Sequence, residues 1–148
     1  MTWPSSGCAH PVNPRSPGGP VTGIFIATNR LKPGRLAAEG ERVPGLSDFI
    51  EANEPRILAF NEYANDDGTE VGVVQVHPDV DSFSYHMDVV RERATRAYAE
   101  TLDGITSIQV FGTPTEALLE MLRNSAGSAV GFTVKPHHLG VFTRLDRA

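Results

Sequence analysis

The chain has 148 residues, 40% hydrophobic and 21% charged, with 13 Lys and Arg against 18 Asp and Glu for a formal net charge of -5. That length suits one domain with its own core, and an acidic balance without a Lys/Arg run predicts neither nucleic acid nor an anionic membrane as partner. No apolar run approaches the roughly 18 residues of a membrane helix, and the single cysteine, Cys8, leaves no internal disulfide and predicts a reducing cytoplasm.

Residues 1–20 hold five prolines among glycines and serines. They have little to bury and read as a disordered or extended tail, and they lack the apolar core of a secretory signal. Trp3 is the one anchor by which such a tail would dock on a partner subunit. Cys8 and His10 lie two apart with no second ligand pair nearby, so no metal site is predicted. The folded domain is predicted over residues 21–148.

VTGIFIATNR, from Val21, is β-branched and apolar on both faces, which predicts a strand covered on both sides. Pro33-Gly34 stops it. Arg35 to Asn53 reads as helical, but Pro44 predicts a break, with a fresh helix carrying Leu46, Phe49 and Ile50. Arg56 to Ala64 is a second strand, Asn65-Asp66-Asp67-Gly68 a hairpin turn, and Glu70 to His77 a third strand. Val80, Phe83, Met87, Val90, Ala94, Ala97 and Thr101 then recur at alternating steps of three and four. That spacing marks one face of a long helix, capped by Asp79 or Asp81 and ended by Asp103-Gly104. ITSIQVFG is the fourth strand. Thr113-Pro114-Thr115-Glu116 matches a capping box opening a short helix closed by Gly127. SAVGFTVK and LGVFTR flank Lys135-Pro136-His137-His138 and predict either a C-terminal hairpin or an extension of the sheet edge.

The order β-α-β-β-α-β predicts an α+β, ferredoxin-like sheet with a C-terminal helix/hairpin extension. Helices cover only one face of such a sheet. The strands are apolar on both faces, so the second face needs a cover. A homodimer through the sheet face would supply it; the C-terminal hairpin of the same chain is the alternative.

The strand, the Lys32-Pro33-Gly34 turn, EPRILAFNEY, DGTEVGVVQVHPD and a histidine early in the second long helix resemble the antibiotic biosynthesis monooxygenase-like superfamily of dimeric α/β barrels. The resemblance spans Val21 to Phe111. It implies a ligand held between sheet and helices, and an activity among cofactor-free monooxygenases of aromatic or hydroquinone-like substrates. Haem-binding or haem-degrading proteins and non-catalytic small-ligand-binding dimers are the alternatives it leaves open.

The resemblance directs attention to inward polar residues on the first two strands and the second long helix. His86 stands at the margin of that helix's apolar stripe, where a pocket-lining or a half-exposed residue would sit. Its near-neutral pKa suits a general base toward a phenol, and the same imidazole could ligate haem iron. Asn61 and Tyr63 share a face of strand two with Ile57 and Ala59, and would either hold the oxygenated intermediate or face solvent. His86, Asn61 and Tyr63 are the expected catalytic set. Asn29, Phe83 and Met87 are expected to bind substrate, although Asn29 could equally cap a turn. No cofactor is expected on the first reading, and haem on the second. His137 and His138, adjacent in an extended segment, point to opposite faces and read as a polar turn rather than a metal site. His77, before Pro78 at a strand end, reads as a surface residue.

Overall fold

The computed structural model describes residues 23–140 and Phe142. The expectations for Trp3, Cys8, His10 and half of LGVFTR lie outside those residues. The elements are β1 (Gly23–Leu31), α1 (Leu36–Asn53), β2 (Ala59–Ala64), β3 (Glu70–His77), α2 (Val80–Glu100), β4 (Leu102–Gly112), α3 (Glu116–Ala126) and β5 (Gly131–Lys135). The sheet order is β2-β3-β1-β4-β5, antiparallel through β4, with β5 parallel to β4 at the edge. This is the ferredoxin-like order, and the resemblance's fold expectation holds.

Register fixes which residues face the helices. Phe25 pairs with Gln75 and Val110, and Ala27 with Val73 and Ile108. These residues share the inner face, since side chains alternate along a strand. Phe25, Ile108 and Val110 pack with Phe83 of α2 and with Leu118 and Leu122 of α3 in one buried cluster. A second cluster joins Leu31, Val71, Ala97 and Leu102. Apart from Ala97, each such side chain contributes about 1.5–3 kcal/mol by leaving water. The helices therefore cover one face, and α3 covers the β4 end of it.

Asp79 caps α2, its carboxylate accepting from the Ser82 N–H at 2.9 Å, as expected. Three boundaries differ from expectation. Helix α1 runs unbroken through Pro44. Pro44 and Gly40, whose carbonyl loses its partner, are both exposed, so water can satisfy that carbonyl. Thr115, not Thr113, caps α3, accepting from the Leu118 N–H at 3.2 Å. Asp103-Gly104 does not end α2; it lies inside β4. Asn29 pairs with Ile105 and Leu31 with Leu102, so β4 carries extra residues opposite β1. Gly104 takes φ +99 there, which an L side chain resists, and the strand bulges. Of the two expectations for the C-terminal segment, the sheet-edge extension is the one found, with no hairpin among the described residues. Its first strand, β5, extends the sheet edge, and no described element covers the outer face.

That outer face carries an apolar row in register: Ala59, Val76, Ile24 and Phe111. None is fully buried.

Candidate functional site

Between the inner face and the helices lies a cavity of about 510 Å³. Its walls are mostly apolar, including Phe25, Phe60, Val73, Phe83, Met87 and Val90. The β4 bulge brings Leu102, Gly104 and Ile105 into the lining, in keeping with the use of bulges to re-aim side chains beside sites. Two groups of polar side chains interrupt the apolar wall.

The first group centres on His86. It is 2% exposed and lies against Glu54, 3% exposed, with Nδ1 2.9 Å from Oε1 and 3.0 Å from Oε2. Glu54 is placed by Pro55. A residue before proline is pushed out of the α region, and Glu54 leaves α1 at φ -127, ψ 83 while its N–H still bonds Ile50. The helix end thus aims a carboxylate at α2. Burial pushes Glu54 up to about 7 and pulls His86 down to about 4. Both shifts favour neutral forms, so the pair handles a single proton near neutrality. With Glu54 ionised, Nδ1–H donates to the carboxylate. Nε2 has no hydrogen-bond partner among the described residues.

His77 stands behind, its ring 5.6 Å from that of His86. It is fully buried, which overturns the surface reading. Its Nε2 donates to Gln75 Oε1 at 3.1 Å, and its Nδ1 accepts from Ser82 Oγ at 2.9 Å. Burial, then the neighbouring His86 charge, lowers its pKa to about 4, so it is neutral. The capped start of α2 sits directly over this strand end, which is what buries it.

The second group comprises Glu39 and Arg42 of α1, Glu62 of β2, Tyr98 of α2 and Asn29 of β1. Arg42 forks onto Glu39, with Nε 3.0 Å from Oε2 and Nη2 on Oε1, and stands 4.0 Å from Glu62 Oε2. Tyr98 donates to Asn29 Oδ1 at 2.5 Å. Tyr98 follows His86 by twelve positions on α2, about 18 Å of helix.

No protein-family model matches the sequence, and no curated protein matches it significantly. Solved structures do match in fold. MupZ from Pseudomonas fluorescens aligns with TM-score 0.62 at 19% identity, over 85% of this chain and 91% of that one. An antibiotic biosynthesis monooxygenase aligns with TM-score 0.53 at 14% identity, over 64% of this chain and all (100%) of that one. PA3566 from Pseudomonas aeruginosa gives 0.53 at 15%, over 64% and 96%. The chain has the antibiotic biosynthesis monooxygenase-like fold.

Within that fold the cavity gathers four of the six expected site residues: His86, Asn29, Phe83 and Met87. Asn29 is 3% exposed and bonded to Tyr98, so it lines the site and does not cap a turn. Asn61 and Tyr63 are corrected: both are exposed, Tyr63 by 69%. They point from β2 to the outer face, while Phe60 and Glu62 point into the cavity. Glu39, Arg42, Glu54, Glu62, Gln75 and Tyr98 went unpredicted. His137 and His138 are exposed, and no cluster of three or more His, Cys, Asp or Glu suits a metal among the described residues.

Proposed function

We propose that the chain is a cofactor-independent monooxygenase of a small aromatic, hydroquinone-like substrate bound in the cavity, with His86 as general base. The observation that carries this is the buried imidazole fixed at Nδ1 by a carboxylate, with Nε2 left unpartnered beside aromatic walls. The ionised Glu54 offsets the loss of basicity that burial causes and stabilises the imidazolium as it forms. Phe60, whose ring centroid lies 5.9 Å from His86, and Phe83, at 6.4 Å, would flank a substrate ring.

His86 Nε2 takes the phenolic proton, and the electron-rich anion adds dioxygen at a ring carbon. The hydroperoxide so formed loses water and leaves a new carbonyl oxygen. One oxygen atom enters the product and the other leaves as water, so no external reductant is needed.

A haem fits this residue set less well. His86, through Nε2, is the residue that would ligate the iron. Arg42, the one cation among the described lining residues, is already engaged by Glu39 and Glu62, so the propionates would lack a cationic partner inside the cavity. The apolar outer row supports a dimer that pairs this face with a second copy. Sedimentation velocity is expected to give a dimer that Ile24→Glu dissociates; a monomeric parent protein would end that part of the proposal.

The test of function is oxygen uptake by the purified protein, without added cofactor, against a panel of hydroquinones. Uptake above autoxidation, with one oxygen of labelled dioxygen recovered in product, is expected. Binding without uptake would turn the reading to a ligand carrier.

A further inference from the structure

Ser82, His77 and Gln75 form a hydrogen-bonded chain that ends at the cavity. His77 and Gln75 stand two apart on β3, so both face the helices. Gln75 is paired with Phe60 of β2 on one side and with Phe25 of β1 on the other. Phe60 lies beside His86, and Phe25 stacks on Phe83. Gln75 therefore sits in the sheet floor beneath the stretch of α2 that carries Phe83 and His86. His77 itself is fully buried and does not line the cavity, so any effect it has there passes through Gln75, which does.

The hydrogens of this chain run in one direction. Ser82 Oγ is 2.9 Å from His77 Nδ1, and Gln75 Oε1 is 3.1 Å from His77 Nε2. Ser82 lies in the first turn of α2, whose positive end favours a ring lone pair over a ring N–H. Nδ1 is then the acceptor and Nε2 carries the hydrogen, which makes Oε1 the end of the Gln75 amide that is turned to His77. An amide held by its oxygen presents its NH2 the other way. That nitrogen has no hydrogen-bond partner among the described residues, and it is not fully buried: Glu62 Oε1 is the one fully buried side-chain polar atom without a partner among them. Gln75 lines the cavity, so its open N–H groups face it. His86 Nε2 is open to the cavity in the same way. The floor thus offers a donor, and α2 above it a base, to one aromatic-walled space.

We infer that the amide N–H of Gln75, turned toward the cavity by His77, donates to the ligand oxygen that gives its proton to His86, so that Gln75 is a further catalytic residue and His77 its positioning residue. A phenol oxygen donates its hydrogen to His86 Nε2 while accepting from Gln75. Once the proton has moved to Nε2, the same amide N–H meets a full negative charge, and a hydrogen bond to an ion is the stronger one. Gln75 therefore stabilises the anion more than the phenol. The inference rests on the cavity being the ligand site and on His86 as its base; it is independent of what the anion then does with dioxygen.

The test is binding of 4-nitrophenol and 4-nitroanisole well above pH 7, where Glu54 is ionised. Calorimetry gives both affinities, and the visible band of the nitrophenolate reports whether the bound phenol is ionised. The parent protein is expected to hold nitrophenol as its anion, at least about tenfold tighter than the ether. Gln75→Leu is expected to lose that preference, with unchanged ether affinity showing that the cavity persists. Gln75→Glu sets a negative charge against the anion and is expected to bind it more weakly still. His77→Phe keeps a buried ring but has no N–H to hold Oε1, so the preference should fall to an intermediate value. Bound nitrophenol without the anion band, a preference undiminished in Gln75→Leu or Gln75→Glu, or no binding of either probe would overturn the inference; an intact preference in His77→Phe would overturn the part given to His77. Anion preference without oxygen uptake would sink only the oxygenase reading, and uptake that is as fast in Gln75→Leu as in the parent would sink only this one.

Discussion

His86→Ala is expected to reduce turnover by about 10²–10⁴-fold, the usual contribution of a positioned general base. The pH profile gives the sharper test. The competent form has Glu54 ionised and His86 neutral. Glu54 is pushed up to about 7 by burial, so it holds its proton below that pH and releases it above. His86 is lowered to about 4 and stays neutral throughout this range. Activity should therefore rise through pH 7 and level off above it. Glu54→Gln keeps an acceptor for Nδ1–H but has no charge to titrate. It should flatten the step and slow the reaction at high pH, where the parent enzyme has its carboxylate. Initial oxygen-uptake rates on both sides of pH 7 decide the matter: a step that survives in Glu54→Gln would mean that another group titrates.

The fold was legible because its signals are local and repeated. The three-and-four spacing along α2, the Asp67-Gly68 turn and the two-sided apolar strands each name an element, and their order permits few sheets. His86, Phe83 and Met87 could be found because α2 is long and its buried stripe is clear. Asn61 and Tyr63 misled because β2 is an edge strand whose outer face is apolar at one end. Ile57 and Ala59 set the wrong phase there, and one residue of phase moves every side chain to the other face. Phe60, the largest apolar residue of β2, was the better guide, and it would have placed Glu62 inside. Glu39 and Arg42 stand three apart on α1 and look like an ordinary surface pair. Glu54 marks a helix end. Their partners come from elements far along the chain, and sequence spacing alone does not encode that meeting. Helix α1 continues through Pro44 against the rule for helix interiors, because a proline on a helix's wet side costs less than one facing the core.

Phe83→Ala is expected to cost about 3–5 kcal/mol, the range for deleting a buried aromatic ring, against a total stability of about 5–15 kcal/mol for a domain. Phe83 is 3% exposed, stacks on Phe25 at 3.8 Å between ring centroids and meets the His77 ring edge-on at 5.3 Å. It joins α2 to β1 and closes water off from His77, so its loss removes packing at one of the main helix–sheet contacts. Met87, one turn along and only partly buried against the same cluster, should cost less than half as much. Urea unfolding of both variants gives the comparison, and near-equal losses would mean that the ring is not the anchor described. Acid unfolding supplies an independent readout. His77 is lowered from 6.5 to about 4 by burial, so the unfolded chain takes up its proton first. The contribution of His77 to stability should fall as pH drops from 6.5 toward 4, read as the difference between the parent protein and His77→Gln, since Glu54 and Glu62, raised to about 7 and about 8, and His86, lowered to about 4, also titrate across this range. Water admitted in Phe83→Ala should raise the folded-state pKa of His77 toward 6.5, and the further loss on acidification should shrink. A variant as acid-sensitive as its parent would show that His77 is kept dry by something other than this ring.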